Sequence, residues 1–263
     1  MECLPILRTR QAPPLDGTLS GPAWEQAGRS APFVDLVTGA AAPLETRVAG
    51  LFDDEALYFG FWVDDPYPRA SLTERDSLIF QENDVEIFID GHDCYYEFEL
   101  NALNTVYEVF FIWKDAFRRG SRFDLPEFDP FHPRALTFAG NYDRDERTFW
   151  RGTHPRGARM AFLDWDFPGL RTAVSIDGVL NDDSKPSKGW TAEIAFPWSG
   201  MKTLAGKRTL PPRHGDQWKM MFARFQKFRA GAQEAQAGWS LTAHGAYDSH
   251  LPEKFASVVF RDD

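Results

Sequence analysis

Between Phe80 and Asn101 apolar and polar side chains alternate with a period of two. Val85, Ile87 and Ile89 alternate with Glu86, Phe88 and Asp90; beyond Gly91-His92-Asp93-Cys94, Tyr96, Phe98 and Leu100 alternate with Tyr95, Glu97, Glu99 and Asn101. That period predicts two strands joined as a hairpin. With residues 91–94 as the connection, Glu86 lies opposite Glu99, Glu97 opposite Phe88 and Asp84 opposite Asn101, all on the face away from Val85 and Leu100. Two carboxylates then face each other across neighbouring strands. Such a pair is destabilising unless a cation, a shared proton, an Arg neighbour or a ligand rich in hydroxyl donors compensates it.

The same pattern predicts strands over 46–52 and 57–63, separated by the polar loop Asp53-Asp54-Glu55, and over 105–113, 170–176, 189–196, 217–227 and 256–260. Residues 1–15 read as irregular because of Pro5, Pro13 and Pro14, while Asp16-Gly17 makes a turn and Pro22 opens one helical turn that packs Trp24 and Ala27 inward. A short helix is predicted over 199–204 and a small-residue loop over 230–238. From 114 to 169 the pattern breaks down around Pro126, Pro130, Pro133 and Pro155, which reads as a long loop-rich insertion. Many short strands with turn punctuation and little helix predict an all-β fold, an antiparallel β-sandwich of jelly-roll-like form, as a single domain over 1–263.

Composition narrows the function classes. With 263 residues, 43% of them hydrophobic, and nine Trp, seven Tyr and 23 Phe, the chain can fill a substantial core. A net charge of -10 with no basic stripe argues against a nucleic-acid partner. Cys3 and Cys94 form neither a disulfide framework nor a metal-ligand spacing, and the six His include no close pair, which disfavours catalytic zinc. The start, Met1-Glu2-Cys3-Leu4-Pro5, lacks a basic n-region before a long apolar run, and no stretch approaches the ~20 apolar residues of a membrane span. The expectation is a soluble chain with no membrane partner; compartment and oligomeric state stay open.

Residues 16–27, 52–64, 83–90, 95–101, 189–198 and 239–260 together resemble the family 9 carbohydrate-binding modules, found attached to xylanases and as free-standing bacterial proteins. The run Asn-Asp-Val-Glu-Ile-Phe-Ile-Asp followed by Tyr-Tyr-Glu-Phe-Glu-Leu-Asn carries most of the likeness. The resemblance implies non-catalytic carbohydrate binding in support of carbohydrate catabolism, with the sugar held between two aromatic side chains. By position those would be Phe80 and Trp239, with Glu86, Glu99 and Asn101 bonding the hydroxyls. The chain departs from the family where Trp is usual and Phe80 stands, and where the xylanase-linked modules have Arg and Glu99 stands. No cofactor is required on this reading, although related modules hold structural calcium. Asp53-Asp54, Asp64-Asp65 and Asp182-Asp183 could supply oxygen ligands, but none has a regular calcium-loop spacing, so metal ligands stay unassigned.

Several residues carry two readings. Arg224 interrupts the apolar face of Trp218, Met220 and Phe222; an ion-pair partner is its first reading and a ligand contact its second. Trp24, Trp190 and Trp198 are assigned to packing. Two alternatives to a binding module remain: a glycosidase using Glu86 and Glu99, and a haem-binding sandwich domain with Met220 or Met221 and a His as axial ligands.

Overall fold

The hairpin around residue 92 forms the middle of one layer of a β-sandwich. The computed structural model describes residues 3–138, 154–230 and 233–262. Its strands in chain order are β1 (Cys3–Arg8), β2 (Val34–Asp35), β3 (Thr46–Phe52), β4 (Ala56–Asp64), β5 (Asp84–Asp90), β6 (Cys94–Leu100) and β7 (Val106–Trp113). They continue with β8 (Ala135–Phe138), β9 (Arg159–Phe162), β10 (Arg171–Asp177), β11 (Gly189–Pro197), β12 (Gln217–Ala230), β13 (Gln233–Ser240) and β14 (Ala256–Arg261). The α-helices are short, α1 (Pro22–Gln26) and α2 (Lys202–Ala205), and no helix among the described residues is long and apolar enough to cross a membrane.

The strands form one hydrogen-bonded path, β10-β11-β4-β3-β1-β14-β12-β5-β6-β7-β9-β8, with β13 and then β2 attached beside β12. The long β12 turns this path over on itself. Its start pairs with β14, its middle with β5 and its far end with β13. Two layers result, and their inner faces meet in one large apolar cluster. Phe59 and Phe222 pack with ring centroids 4.9 Å apart, and Phe98 and Phe196 with centroids 5.5 Å apart. The outer face of the β3-β4 layer is covered by α1 and its approach, which bury Leu19, Ala23 and Trp24 against Ala49, Leu51 and Tyr58.

Three differences from the sequence reading have physical causes. Residues 3–8 form a strand, and β1 runs parallel to both neighbours in an otherwise antiparallel assembly. Pro5 precedes the start of the β1–β3 ladder at Ile6, so its missing N–H is tolerated there. Most of the stretch 230–238, read as a small-residue loop, belongs to β13 (Gln233–Ser240). The ring of Phe225 on β12 lies 2.5 Å from where a Cβ on Gly238 would sit, so the small residue is a packing requirement of the sheet. Within 114–169, the described part of the insertion contributes β8 and β9, which widen the sheet beyond β7.

Candidate functional site

The register read from the alternation places the carboxyls. Glu86 pairs with Glu99 and Phe88 with Glu97, so the even positions of β5 and the odd positions of β6 point away from the inter-sheet core. On that outer face lies a cavity of about 280 Å³ with Glu86, Glu97 and Glu99 at its base. β7 presents Tyr107 and Phe111, β12 presents Phe225 and β8 presents Phe138. Phe80 comes from the 3-10 turn Ile79–Gln81, and Tyr247, Ser249 and His250 come from the connection before β14.

Phe80 is 39% exposed, with its ring 5.6 Å from that of Tyr107. It is the open aromatic edge of the cavity. Glu86 accepts a hydrogen bond of 3.1 Å from the Ser249 hydroxyl, which ties the floor to the wall segment. His250 shares a 3.0 Å hydrogen bond with the Tyr95 hydroxyl and packs 4.5 Å from the Phe138 ring. Its Nε2 lies 4.0 Å from Glu97.

Burial is the largest influence on the charge of the floor. Desolvation first, then the neighbouring carboxylates Asp84, Glu86 and Glu97, raise Glu99 well above the ordinary range. Glu97 is raised to about 8 by burial, with a hydrogen bond from Glu99 acting against that rise. Asp84, fully buried beside them, is raised by desolvation as well. Oε2 of Glu99 has no hydrogen-bond partner, and the backbone of Phe225 acts on Asp84 against the rise.

A pH dependence of stability follows. Unfolded carboxyls release their protons near pH 4, whereas these groups hold theirs in the folded chain to higher pH, about 8 for Glu97. Their contribution is fully present below the unfolded pKa and is lost as pH rises towards the folded one, because the folded state then binds more protons. Buried His244, whose pKa is lowered by desolvation, acts in the opposite direction only below its ordinary value of 6.5. Between pH 6.5 and 8 the carboxyls dominate, at about 2 kcal/mol per retained proton over that window. Thermal unfolding of the ligand-free protein is therefore expected several degrees lower at pH 8 than at pH 6.5, with a smaller difference in Glu99→Gln. A melting temperature that rises over this interval contradicts the assignment.

The structure brings Phe80, Glu86 and Glu99 together and separates Asn101, Arg224 and Trp239 from them. Asn101 is fully buried; its side-chain oxygen accepts from the amides of Leu103 and Thr105, and its nitrogen donates to the Leu72 carbonyl and to Glu82. Glu82 in turn accepts from the backbone at Ser71 and Leu72. Asn101 thus fastens the segment that carries Phe80 instead of lining the cavity. Register explains Trp239. It pairs with Arg224 across β12 and β13, and both project into the inter-sheet core, whereas Phe225 and Gly238 take the cavity side. Trp239 is 1% exposed, and its Nε1 donates to the Thr46 hydroxyl. The position-based clamp of Phe80 and Trp239 is therefore not formed, and the rings that share the cavity with Phe80 are those of Tyr107, Phe111, Phe138, Phe225 and Tyr247.

Arg224 has the role of its first reading. Its guanidinium pairs with Asp65 at 3.3 Å, bonds Gln226, Thr46 and the Asp64 carbonyl, and lies 5.0 Å from the Trp239 ring centroid. Burial lowers it to about 10, so it stays charged at neutral pH.

In each acidic pair named as a calcium candidate at least one carboxylate has a protein partner. Asp53 caps the backbone of Glu55 and Ala56, Asp54 pairs with Arg8, Asp65 with Arg224 and Asp183 with Arg69. Met220 and Met221 are buried in apolar clusters on opposite faces, and neither lines the cavity. Sequence reasoning missed Glu97, Tyr107, Phe111, Phe225 and the 247–250 segment as cavity residues. The alternation of β7 already put Tyr107 and Phe111 on one side; pairing Glu99 with Tyr107 across β6 and β7 is the step that places them over the floor.

No family model matches the chain, and no curated protein matches it. Solved structures do match over essentially its whole length. A family 9 carbohydrate-binding module from Caldicellulosiruptor kristjanssonii, in complex with cellotriose, superposes with a TM-score of 0.55 at 13% identity, over 100% of this chain and 95% of that one. A glucose complex of a family 9 module from the same organism gives 0.53 at 13% identity, over 98% and 96%. A candidate carbohydrate-binding protein from Bacteroides uniformis gives 0.57 at 13% identity, over 99% of each chain. At this identity the likeness establishes the β-sandwich fold.

Proposed function

We propose that the chain is a relative of the family 9 modules that binds carbohydrate in the cavity above Glu86, Glu97 and Glu99. The observation that carries this reading is the combination of flat rings and carboxyls around one opening of about 280 Å³. Similar folds hold cellotriose and glucose. A pyranose presents apolar C–H faces, which rings such as Phe80 and Phe138 cover, and a hydroxyl edge, whose protons the carboxyls accept. Each such hydrogen bond contributes about 0.5–1.5 kcal/mol, or about 1.5–3 kcal/mol to a charged group, since the hydroxyl leaves water to make it. Affinity is correspondingly modest.

The role is capture in support of carbohydrate catabolism, not cleavage. A glycosidase flanks the scissile bond with two carboxyl groups, about 5–5.5 Å apart when it retains configuration. Here oxygens of Glu86 and Glu99 lie within 4.8 Å of each other on adjacent strands, so both meet a ligand from the same side.

A glycan array with neutral and charged saccharides, followed by calorimetric titration of the best ligand, tests the reading. Phe80→Ala and Glu86→Gln are each expected to weaken binding about tenfold, equivalent to about 1.4 kcal/mol, with the circular dichroism spectrum preserved. Absence of binding to every saccharide, or titrations unaltered by both substitutions, contradicts it.

A further inference from the structure

We infer that the cavity selects a sugar bearing a primary amine, whose ammonium group seats on the carboxyl floor and whose ring lies between the aromatic walls. This inference rests on the carbohydrate reading above and narrows its ligand class. Oxygens of Asp84, Glu86 and Glu99 all lie within 4.8 Å of one another. Asp84 is fully buried and Glu99 is 1% exposed, and the unpartnered oxygen noted above belongs to Glu99. Glu99 also lines the cavity, so an unsatisfied buried acceptor is turned towards the space a ligand would fill. A buried carboxyl without a donor is costly, and one that ionises without a nearby cation is costlier still.

Among the described residues no Lys or Arg lines the cavity. Arg159, whose charge acts against the rise of Glu97, lies over the rings of Tyr95 and Trp113. Neutral hydroxyls would leave the buried carboxyls holding their protons; an ammonium group supplies donors together with a charge beside which a floor carboxyl can release its proton to solvent and ionise. Its three N–H bonds, each reaching a carboxylate oxygen at about 2.7–2.9 Å, call for acceptors about 4.5 Å apart, inside the 4.8 Å within which the oxygens of this triad lie. Phe80, Tyr107, Phe111 and Phe138 add ring faces or edges around the same space, and a cation near such faces is stabilised further. A bare metal ion would satisfy the floor but leave the ring-lined volume unfilled.

The test is calorimetric titration of D-glucosamine, N-acetyl-D-glucosamine and D-glucose at neutral pH and low salt, in metal-free buffer and again with calcium chloride. Glucosamine is expected to bind at least about tenfold more tightly than either neutral sugar. The preference should shrink with added salt, and fall to about threefold or less in Glu99→Gln. Asp84→Asn serves as a second variant should Glu99→Gln fail to fold, and the wild-type comparison stands without either. Equal or tighter binding of the neutral sugars overturns the inference and leaves the carbohydrate reading in place. Binding of none of the three, with no saccharide found on the array, overturns both. Calcium binding that displaces glucosamine and strengthens glucose assigns the floor to a metal ion and overturns the inference.

Discussion

Trp239→Ala is expected to lower the free energy of unfolding by about 3–5 kcal/mol while leaving carbohydrate affinity within about threefold of wild type. The indole is among the largest fully buried side chains and belongs to the inter-sheet cluster. It tilts against Phe228, donates to Thr46 and lies beneath the Arg224 guanidinium. Truncation removes that apolar surface and leaves a cavity between two layers that cannot close over it. Nothing on the ligand side changes, because Phe225 and Gly238 occupy the facing positions there. Chemical denaturation followed by titration of the folded variant measures both quantities. Unchanged stability with lost binding would return Trp239 to the clamp role that its position in the family pattern implies.

Arg224→Met is expected to destabilise the fold by a similar amount, about 3–5 kcal/mol, because it strands a buried charge. Asp65 is 1% exposed, and its charge partner would be gone. The Asp64 carbonyl and Gln226 would lose donors in the same step. Arg224→Met combined with Asp65→Asn should recover part of the loss, and a double-mutant cycle measures that coupling. Additive effects, with no recovery, would show that the ion pair is not what holds β12 to the end of β4.

What could be read from the chain, and what could not, follows from the range of the forces involved. The central hairpin was legible to the residue because two alternating strands across a short turn have one register that buries Val85 and Leu100 together. Glu86, Glu99 and Phe80 were found on that basis and by position in the family pattern, and the structure gathers all three at one cavity. Trp239 was misplaced because its orientation depends on pairing Arg224 with Trp239, which no local pattern around 230–240 announces. In β13 the small residues answer to the Phe225 ring, a partner on another strand. Asn101 continues the alternation but sits one step beyond the end of β6, where its side chain closes a turn and holds the 72–82 segment. Tyr247, Ser249 and His250 reach the floor from a connection with no periodicity, across about 150 residues of chain. Residues 139–153 of the insertion lie outside the described residues.

The most direct measurement is a ¹H–¹⁵N NMR titration of the intact chain with the saccharide that binds best in the array. Shift changes are expected at the amides of Phe80, Glu86, Glu97, Glu99 and the 247–250 segment, saturating together with a single dissociation constant. Saturable changes centred on the opposite layer, around β3, β4 and β11, with the β5–β6 floor unmoved, would contradict the account.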